Sequence, residues 1–186
     1  KQGLKRRDKG GLAKSLVDRL RLSDERIQGL QSSIDEIIAF GDPIGDVLRG
    51  SKLENGLRIE QVRVPFGVIG VIYEARPNVT IDIASLAIKS GNGAVLRGGS
   101  AAVETNRVLV GLIQKALEQA KLPKQLVQTV DDFGRQGGAE MMQARGLVDV
   151  LIPRGSANLI QTVVNESKVP VIETGDGIVH LFIDKD

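Results

Sequence analysis

Three short polar segments stand directly after apolar runs of the kind that form buried strands, and each carries residue types that could bind an anion. The first runs from Tyr73 to Asn78 and places a carboxylate (Glu74), a guanidinium (Arg76) and an amide (Asn78) close together. An arginine can bind a carboxylate or phosphate through two parallel hydrogen bonds, and an amide can donate to a developing oxyanion. A surface loop with a local Glu–Arg pair explains the same residues equally well.

The other two segments each join a predicted strand to a predicted helix. One is Arg97-Gly98-Gly99-Ser100 and the other is Pro153-Arg154-Gly155-Ser156. Glycines let the backbone come close to a ligand, and the N–H groups at a helix start favour an anion. Neither segment is a Walker loop or a GxGxxG fingerprint, and a glycine turn followed by a serine N-cap is common at such junctions. Because ligands of parallel sheets bind at the carboxyl ends of the strands, the two loops could hold the ribose and the diphosphate of one dinucleotide.

Two further residues are weaker candidates for proton transfer. Glu173 ends a predicted strand, where a carboxylate can serve as a general base, although an acid that caps the loop is the simpler interpretation. His180 precedes an apolar run, where a single histidine is more often structural than catalytic.

The composition excludes several kinds of site. The 186 residues contain no cysteine, which excludes a disulfide scaffold, a thiolate metal site and a cysteine nucleophile among them, and with one histidine no metal site is predicted. No segment is long and apolar enough to cross a membrane, and no signal peptide is visible. The net charge of +2 gives no reason to expect a nucleic-acid partner. The basic residues concentrated in 1–26 favour a solvated helix face over an anion-binding arm.

The spacing of apolar residues divides the chain into two parts. Residues 1–56 are predicted to be an N-terminal helical segment with two helices in 11–40, the second capped by Ser23 and ended by Gly41 and Pro43, followed by a turn-rich linker over 41–56. Residues 57–186 are predicted to be one α/β nucleotide-binding domain. Its strands are expected at 57–64, 68–73, 94–96, 126–130, 147–152 and 169–173, with a further one from 181, and its helices at 80–90, 100–120, 136–144 and 157–166. This alternation implies a parallel sheet covered by helices.

The three loops, taken together, resemble a known family. The run Val64-Pro65-Phe66-Gly67-Val68-Ile69-Gly70-Val71-Ile72-Tyr73-Glu74-Ala75-Arg76-Pro77-Asn78-Val79-Thr80 is similar to the signature of the glutamate-5-semialdehyde dehydrogenase (γ-glutamyl phosphate reductase) family. The similarity continues in family order through Lys89-Ser90-Gly91-Asn92, Leu96-Arg97-Gly98-Gly99-Ser100, Val148-Asp149-Val150-Leu151-Ile152-Pro153-Arg154-Gly155 and Val169-Pro170-Val171-Ile172-Glu173-Thr174-Gly175. It covers essentially the whole chain.

The resemblance implies a fold, a reaction and a set of site residues. The family belongs to the aldehyde dehydrogenase superfamily, whose Rossmann-like sheet binds the nucleotide, and it reduces γ-glutamyl phosphate to glutamate 5-semialdehyde and phosphate with NADPH in cytoplasmic proline biosynthesis. Arg97 stands where a lysine contacts the adenosine ribose, with Gly98, Gly99 and Ser100 beside it. Gly155 and Ser156 stand near the diphosphate, and Glu173 stands where many relatives have a general base. Glu74, Arg76 and Asn78 would then hold the substrate.

The resemblance also has departures, which limit the activity expected of this chain. The family's chains are much longer, and their cysteine-bearing segment is expected beyond Asp186. Relatives often carry a cysteine at the position of Val179. We therefore expect a piece of a reductase that is inactive alone, with a non-catalytic nucleotide-binding or regulatory module as the alternative. A source gene that continues past Asp186 into a cysteine-bearing segment would decide for the first. For the intact enzyme the resemblance leaves room for a homo-oligomer and for glutamate 5-kinase as a partner.

Overall fold

The computed structural model describes residues 20–74 and 76–173 and begins with helix α1 (Asp24–Ala39). Its predicted N-cap is confirmed: Ser23 has extended backbone geometry, and its hydroxyl oxygen accepts a hydrogen bond from the backbone N–H of Arg26 at 3.3 Å. Asp24 and Glu25 occupy the first turn, where negative charge favours the helix dipole. The helix that the sequence predicts before α1 falls mostly in residues 1–19, outside the described residues.

A two-stranded antiparallel hairpin follows α1, made of β1 (Val47–Lys52) and β2 (Arg58–Val62). The prediction of a linker over 41–56 is therefore wrong for β1. Every residue of both strands is exposed, so β1 has no buried face whose apolar period could reveal a strand in the sequence. The hairpin lies on both sides of the predicted boundary at residue 56, and the division into two domains stays a prediction.

The rest of the described chain alternates strands and helices, as the sequence predicts. The strands are β3 (Val68–Tyr73), β4 (Gly93–Arg97), β5 (Val127–Thr129) and β6 (Val150–Arg154), and they form one parallel sheet in the order β5-β4-β3-β6. The helices are α2 (Pro77–Lys89), α3 (Val103–Gln119), α4 (Gly134–Gln143) and α5 (Ala157–Glu166). Short 3-10 turns stand at 100–102, 124–126 and 131–133.

Helices cover both faces of the sheet, which confirms the predicted α/β class. Alternate residues of β3 enter different cores, with Val71 and Tyr73 on one face and Ile72 on the other. The first core contains residues from α2 and α3, and the second contains residues from α4 and α5. The continuous apolar sequence of β3 follows directly from this burial on both sides.

Several predicted boundaries differ from the structure. The strand predicted at 147–152 is β6 at Val150–Arg154, so Pro153 and Arg154 belong to the strand and not to the loop after it. Helix α2 begins at Pro77 rather than Thr80, because a proline has no N–H to leave unpaired in the first turn of a helix. The strand predicted at 169–173 is reduced to one parallel bridge between Val171 and Leu151, supported by two backbone hydrogen bonds of 2.8 Å from Leu151 to Pro170 and from Ile172 to Leu151. The strand predicted from residue 181 lies outside the described residues.

Candidate functional site

The three loops singled out in the sequence lie side by side at one edge of the sheet. In the strand register Ile72 is level with Arg97 in β4, and Tyr73 is level with Arg154 in β6. The loops that leave β4, β3 and β6 therefore start from one row across three neighbouring strands. This is the carboxyl edge, where α/β sheets bind their ligands.

A buried polar network, which the sequence analysis missed, holds this edge from below. The Thr80 hydroxyl donates to the Asn106 side-chain oxygen (3.1 Å), and the Asn106 amide nitrogen donates to Asp131 (2.8 Å). Since the Thr80 hydrogen is committed to Asn106, the Tyr73 hydroxyl must be the donor in its own 2.8 Å bond with Thr80. Tyr73, Thr80, Asn106 and Asp131 are all buried. The network ties β3, α2, α3 and the turn after β5 together.

Burial also determines the protonation of the phenol. Removal from water raises the pKa of Tyr73 well above its ordinary range, and the negative charge of Asp131 adds to that rise. The phenol therefore remains protonated at physiological pH and acts as a hydrogen-bond donor rather than as a base.

Gly98 is held by the same network. Its N–H donates to the Asp131 carboxylate at 2.6 Å. A Cβ at Gly98 would overlap the side-chain nitrogen of Asn106, and Tyr73 also lies against this position. The amide of Gly98 is thus already used inside the protein, and its role as a nucleotide contact stays a prediction, as do those of Gly99 and Ser100.

Arg97 leaves the end of β4 and extends toward the start of α4. Its Nε lies 3.4 Å from the carbonyl oxygen of Gly134, and its side chain passes over Gly138. A cleft of about 400 Å³ opens here between α4 and α5. Its lining comprises Ile72, Arg97, Arg135, Gly138, Ala139, Met142, Leu159, Thr162 and Val163. The cleft thus combines an apolar floor with two guanidinium groups, and a volume of this size is within the usual range for small-ligand sites.

Glu74 lies beside the predicted diphosphate residues Gly155 and Ser156. Its carboxylate accepts a hydrogen bond of 2.9 Å from the backbone N–H of Ser156, the N-cap residue of α5. A Cβ on Gly155 would lie within 2.8 Å of Glu74 Cγ, so the glycine makes this approach possible. The start of α5 is therefore occupied by an anionic group of the protein's own, as expected from the helix dipole.

Arg76 and Asn78 line a second and larger cleft, of about 700 Å³, between α1 and the start of α2. Arg21 and Arg26 line it as well, together with Glu25 and Asp82. The carboxylate of Asp82 accepts a 3.0 Å hydrogen bond from Ser33 of α1, and one guanidinium nitrogen of Arg26 donates to the Arg21 carbonyl at 2.8 Å. The sequence interpreted the basic residues of 1–26 as a solvated face, whereas two of them converge here with the predicted substrate residues.

The remaining candidates lie apart from these clefts. Glu173 is exposed, two residues beyond the Val171 bridge at the β6 side of the sheet. Val179 and His180 lie outside the described residues. Within the part of the chain that the structure describes, no cluster of His, Cys, Asp or Glu could hold a metal ion, and no helix is long and apolar enough to span a membrane.

Comparison with known proteins shows which proteins this chain is similar to. No protein-family model matches the chain. The chain is 65% identical over 175 residues to the γ-glutamyl phosphate reductase of Leifsonia xyli subsp. xyli, an alignment that covers 94% of this chain and 42% of the relative. The crystal structure of γ-glutamyl phosphate reductase from Thermotoga maritima is similar with a TM-score of 0.89 at 41% identity, over 95% of this chain and 42% of that one.

A more distant structure shows how widely the fold is shared. Propionaldehyde dehydrogenase from Rhodopseudomonas palustris, solved with bound propionyl-CoA, is similar with a TM-score of 0.61 at 22% identity, over 92% of this chain and 40% of that one. At that identity the similarity shows an aldehyde dehydrogenase-like fold and nothing about the ligand. The chain spans about two fifths of the length of the reductases it matches.

Proposed function

We propose that this chain belongs to the γ-glutamyl phosphate reductase family and is the part of such an enzyme that binds NADPH and one side of γ-glutamyl phosphate. The whole reaction would be reduction of γ-glutamyl phosphate to glutamate 5-semialdehyde with release of phosphate, a step of proline biosynthesis in the cytoplasm. A homo-oligomer and an association with glutamate 5-kinase belong to the same proposal for the intact enzyme.

The observation that carries the nucleotide proposal is the cleft over Ile72, between α4 and α5. Its apolar floor suits the flat face of a base, and Arg97 at its rim suits a phosphorylated ribose because a guanidinium binds phosphate with charge-assisted hydrogen bonds. Gly155 and Ser156 stand on the neighbouring strand-to-helix loop, where the backbone amides of α5 suit a diphosphate. NADPH supplies a hydride to the reaction when bound, and the residues described here hold and orient it.

The substrate proposal rests on the larger cleft. γ-Glutamyl phosphate carries an acyl phosphate, an α-carboxylate and an α-ammonium group, so a site for it needs both signs of charge. Arg76, Arg21 and Arg26 supply positive charge, while Glu25 and Asp82 supply negative charge. The Asn78 amide is proposed to donate to the oxyanion that forms at the carbonyl carbon of the acyl phosphate. Glu74, whose carboxylate lies against the start of α5, is proposed to contribute to substrate binding only indirectly. It would do so by positioning the loop that it shares with Arg76.

A titration of the 186-residue chain tests the nucleotide proposal. We expect calorimetry to show NADPH binding more tightly than NADH, and Arg97→Ala to weaken NADPH binding about tenfold because a charge-assisted contact is lost. Arg145→Ala is the matched control, since Arg145 is exposed and lies outside the cleft. Equal NADPH affinity in the parent chain and Arg97→Ala would rule out Arg97 as a contact.

The alternative is a nucleotide-binding or regulatory module that takes part in no catalysis. Sequencing the source gene beyond the codon for Asp186 separates the two proposals, because only the reductase requires a downstream segment with a cysteine nucleophile.

A further inference from the structure

Arg135 is a second cationic residue at the proposed nucleotide cleft, and nothing in the sequence singled it out. It stands in the first turn of α4, directly after Gly134, whose carbonyl oxygen lies 3.4 Å from Arg97 Nε. Arg97 and Arg135 both line the 400 Å³ cleft over Ile72. Two guanidinium groups therefore share one rim of this cleft.

Neither guanidinium is neutralised by the protein in the described part of the chain. The ion pairs found there join Arg107 to Glu104 and Asp132, and Lys124 to Glu118. None of the residues that line the cleft with Arg97 and Arg135 is acidic. Two like charges beside an apolar floor repel each other, and an anion with several oxygen atoms removes that repulsion.

The two arginines differ in what else holds them. Arg97 lies against Gly138 and donates through Nε to Gly134, so its position is fixed by α4 itself. Arg135 is exposed, and its side chain has no hydrogen bond to any described residue. All five N–H donors of the Arg135 guanidinium are thus available to a ligand.

We propose that Arg135 acts with Arg97 to bind a phosphate on the ribose of the nucleotide, and that Arg135 determines the preference for a phosphorylated over an unphosphorylated ribose. The inference rests on the proposed nucleotide site. Two guanidinium forks can meet the oxygens of a phosphate dianion from two sides, whereas a ribose hydroxyl would leave the two positive charges facing each other without compensation.

The test uses two probes that differ only in the phosphate concerned. The 186-residue chain is titrated by calorimetry with adenosine 2′,5′-bisphosphate and with adenosine 5′-monophosphate. The parent chain is expected to bind the bisphosphate more tightly. Arg135→Gln, which keeps a polar side chain of moderate length without the charge, is expected to weaken bisphosphate binding about tenfold and monophosphate binding less than about twofold. The difference between the probes should shrink with added salt.

Arg145→Gln is the control, because Arg145 is exposed, follows the last turn of α4 and does not line the cleft. Circular dichroism of each variant checks that the fold is kept. Arg135→Lys, which keeps the charge but not the fork, is expected to fall between the parent and Arg135→Gln.

Each other outcome overturns the inference in a distinguishable way. If Arg135→Gln weakened the binding of both probes equally, Arg135 would contact the 5′-phosphate. If it changed neither affinity, Arg135 would not belong to the site. A parent chain that binds the two probes equally would refute the ribose-phosphate preference while leaving the nucleotide site in place. A parent chain that binds neither probe would refute the proposed nucleotide site and this inference together.

Discussion

The backbone of Gly98 is enclosed by side chains that come from distant parts of the sequence. Asn106 in α3 fills the space where a Cβ would stand, and Asp131 accepts the Gly98 N–H. A strand-to-helix turn could be predicted from Arg97-Gly98-Gly99-Ser100, because two glycines favour one. Which residues close around the turn could not be predicted, since nothing in the local sequence marks Asn106 or Asp131 as buried. The first glycine of this motif therefore has a packing role that is independent of any ligand.

The packing role of Gly98 gives the first stability prediction. We expect Gly98→Ala to lower the free energy of unfolding by about 1–3 kcal/mol, because the new methyl group must displace Asn106 from a buried network. Urea denaturation followed by circular dichroism measures it. Gly111→Ala is the matched control: Gly111 lies in α3, and a methyl group added there would have nothing within 4 Å, so alanine should be neutral or stabilising. Equal effects of the two substitutions would contradict the packing role of Gly98.

Tyr73 is the only tyrosine of the chain, and this makes its titration directly measurable. Its phenol is neutral in the folded state and has a pKa raised by burial, whereas the unfolded chain releases the proton near its ordinary value of about 10. The stability that depends on the neutral phenol is thus present below pH 10 and is lost as the pH rises above it. We expect the free energy of unfolding to fall by up to about 1.4 kcal/mol per pH unit there from this group alone.

The comparison with Tyr73→Phe isolates that contribution from the lysines that titrate in the same range. The variant should be less stable at neutral pH by about 1 kcal/mol, because Thr80 loses a hydrogen-bond donor, and it should lack the Tyr73 part of the decline above pH 10. Absorbance of the tyrosinate at high pH should rise only as the parent chain unfolds. A phenol that ionises near pH 10 in the folded chain would refute the buried network.

Among the elements, the strands that are buried on both faces are the ones that the sequence predicts well. β3 and β4 match their predicted positions within a residue or two, because a run of Val, Ile and Leu between two helical patterns has few other interpretations. β1 could not be predicted, since its residues are exposed and its partner defines it. Helices α4 and α5 match their predicted positions within two residues. That Arg135 lines the same cleft as Arg97 could not be predicted, because it depends on how the start of α4 lies at the end of β4.

The contact between Glu74 and the start of α5 leads to the prediction that one substitution lowers stability and strengthens nucleotide binding. Glu74→Gln should lower the free energy of unfolding by about 0.5–1 kcal/mol, because a carboxylate is lost from the N-terminus of α5. The same change should strengthen NADPH binding, because the diphosphate proposed to bind at these amides no longer meets a competing negative charge. Thermal unfolding and calorimetric titration measure the two effects.

Glu36→Gln provides the control for both measurements, since Glu36 is exposed on α1, away from the sheet edge. It should leave stability and nucleotide affinity unchanged within about 0.5 kcal/mol. Weaker NADPH binding in Glu74→Gln would show that the carboxylate assists the nucleotide instead of competing with it, and the proposed place of the diphosphate would have to move.

At the scale of the whole molecule, the two clefts are lined by elements from different parts of the chain. The cleft that we propose for the nucleotide is lined only by residues of the parallel sheet and its covering helices, while the larger cleft also needs α1 from the N-terminal segment. α1 packs against α2, so the predicted domain boundary separates residues that jointly line one cleft. The sequence could predict Arg76 and Asn78 as a pair from one loop, whereas Arg21 and Arg26 depend on how two helices pack, which no local pattern records.

The last prediction concerns catalysis by the chain on its own. Acyl transfer in the reaction that we propose needs a nucleophile that attacks readily and leaves again, and a cysteine thiolate meets both needs. The 186 residues contain no cysteine that could be this nucleophile. The buried Tyr73 phenol is held protonated, so it cannot act as the nucleophile either. Arg76 and Asn78 are proposed to hold the substrate in the larger cleft, but binding a substrate does not lower the barrier to its conversion unless the transition state is bound better.

We therefore expect the purified 186-residue chain to show no turnover in the reverse direction, which avoids supplying the labile γ-glutamyl phosphate. The chain is incubated with glutamate 5-semialdehyde, phosphate and NADP, and NADPH is followed by absorbance against a control without protein. A full-length γ-glutamyl phosphate reductase assayed alongside shows that the conditions support the reaction. NADPH that accumulates in proportion to the concentration of the chain would mean that the catalytic nucleophile lies within these residues. Glu173→Gln and Ser156→Ala would then be the first variants to compare, because both residues lie at the carboxyl edge of the sheet.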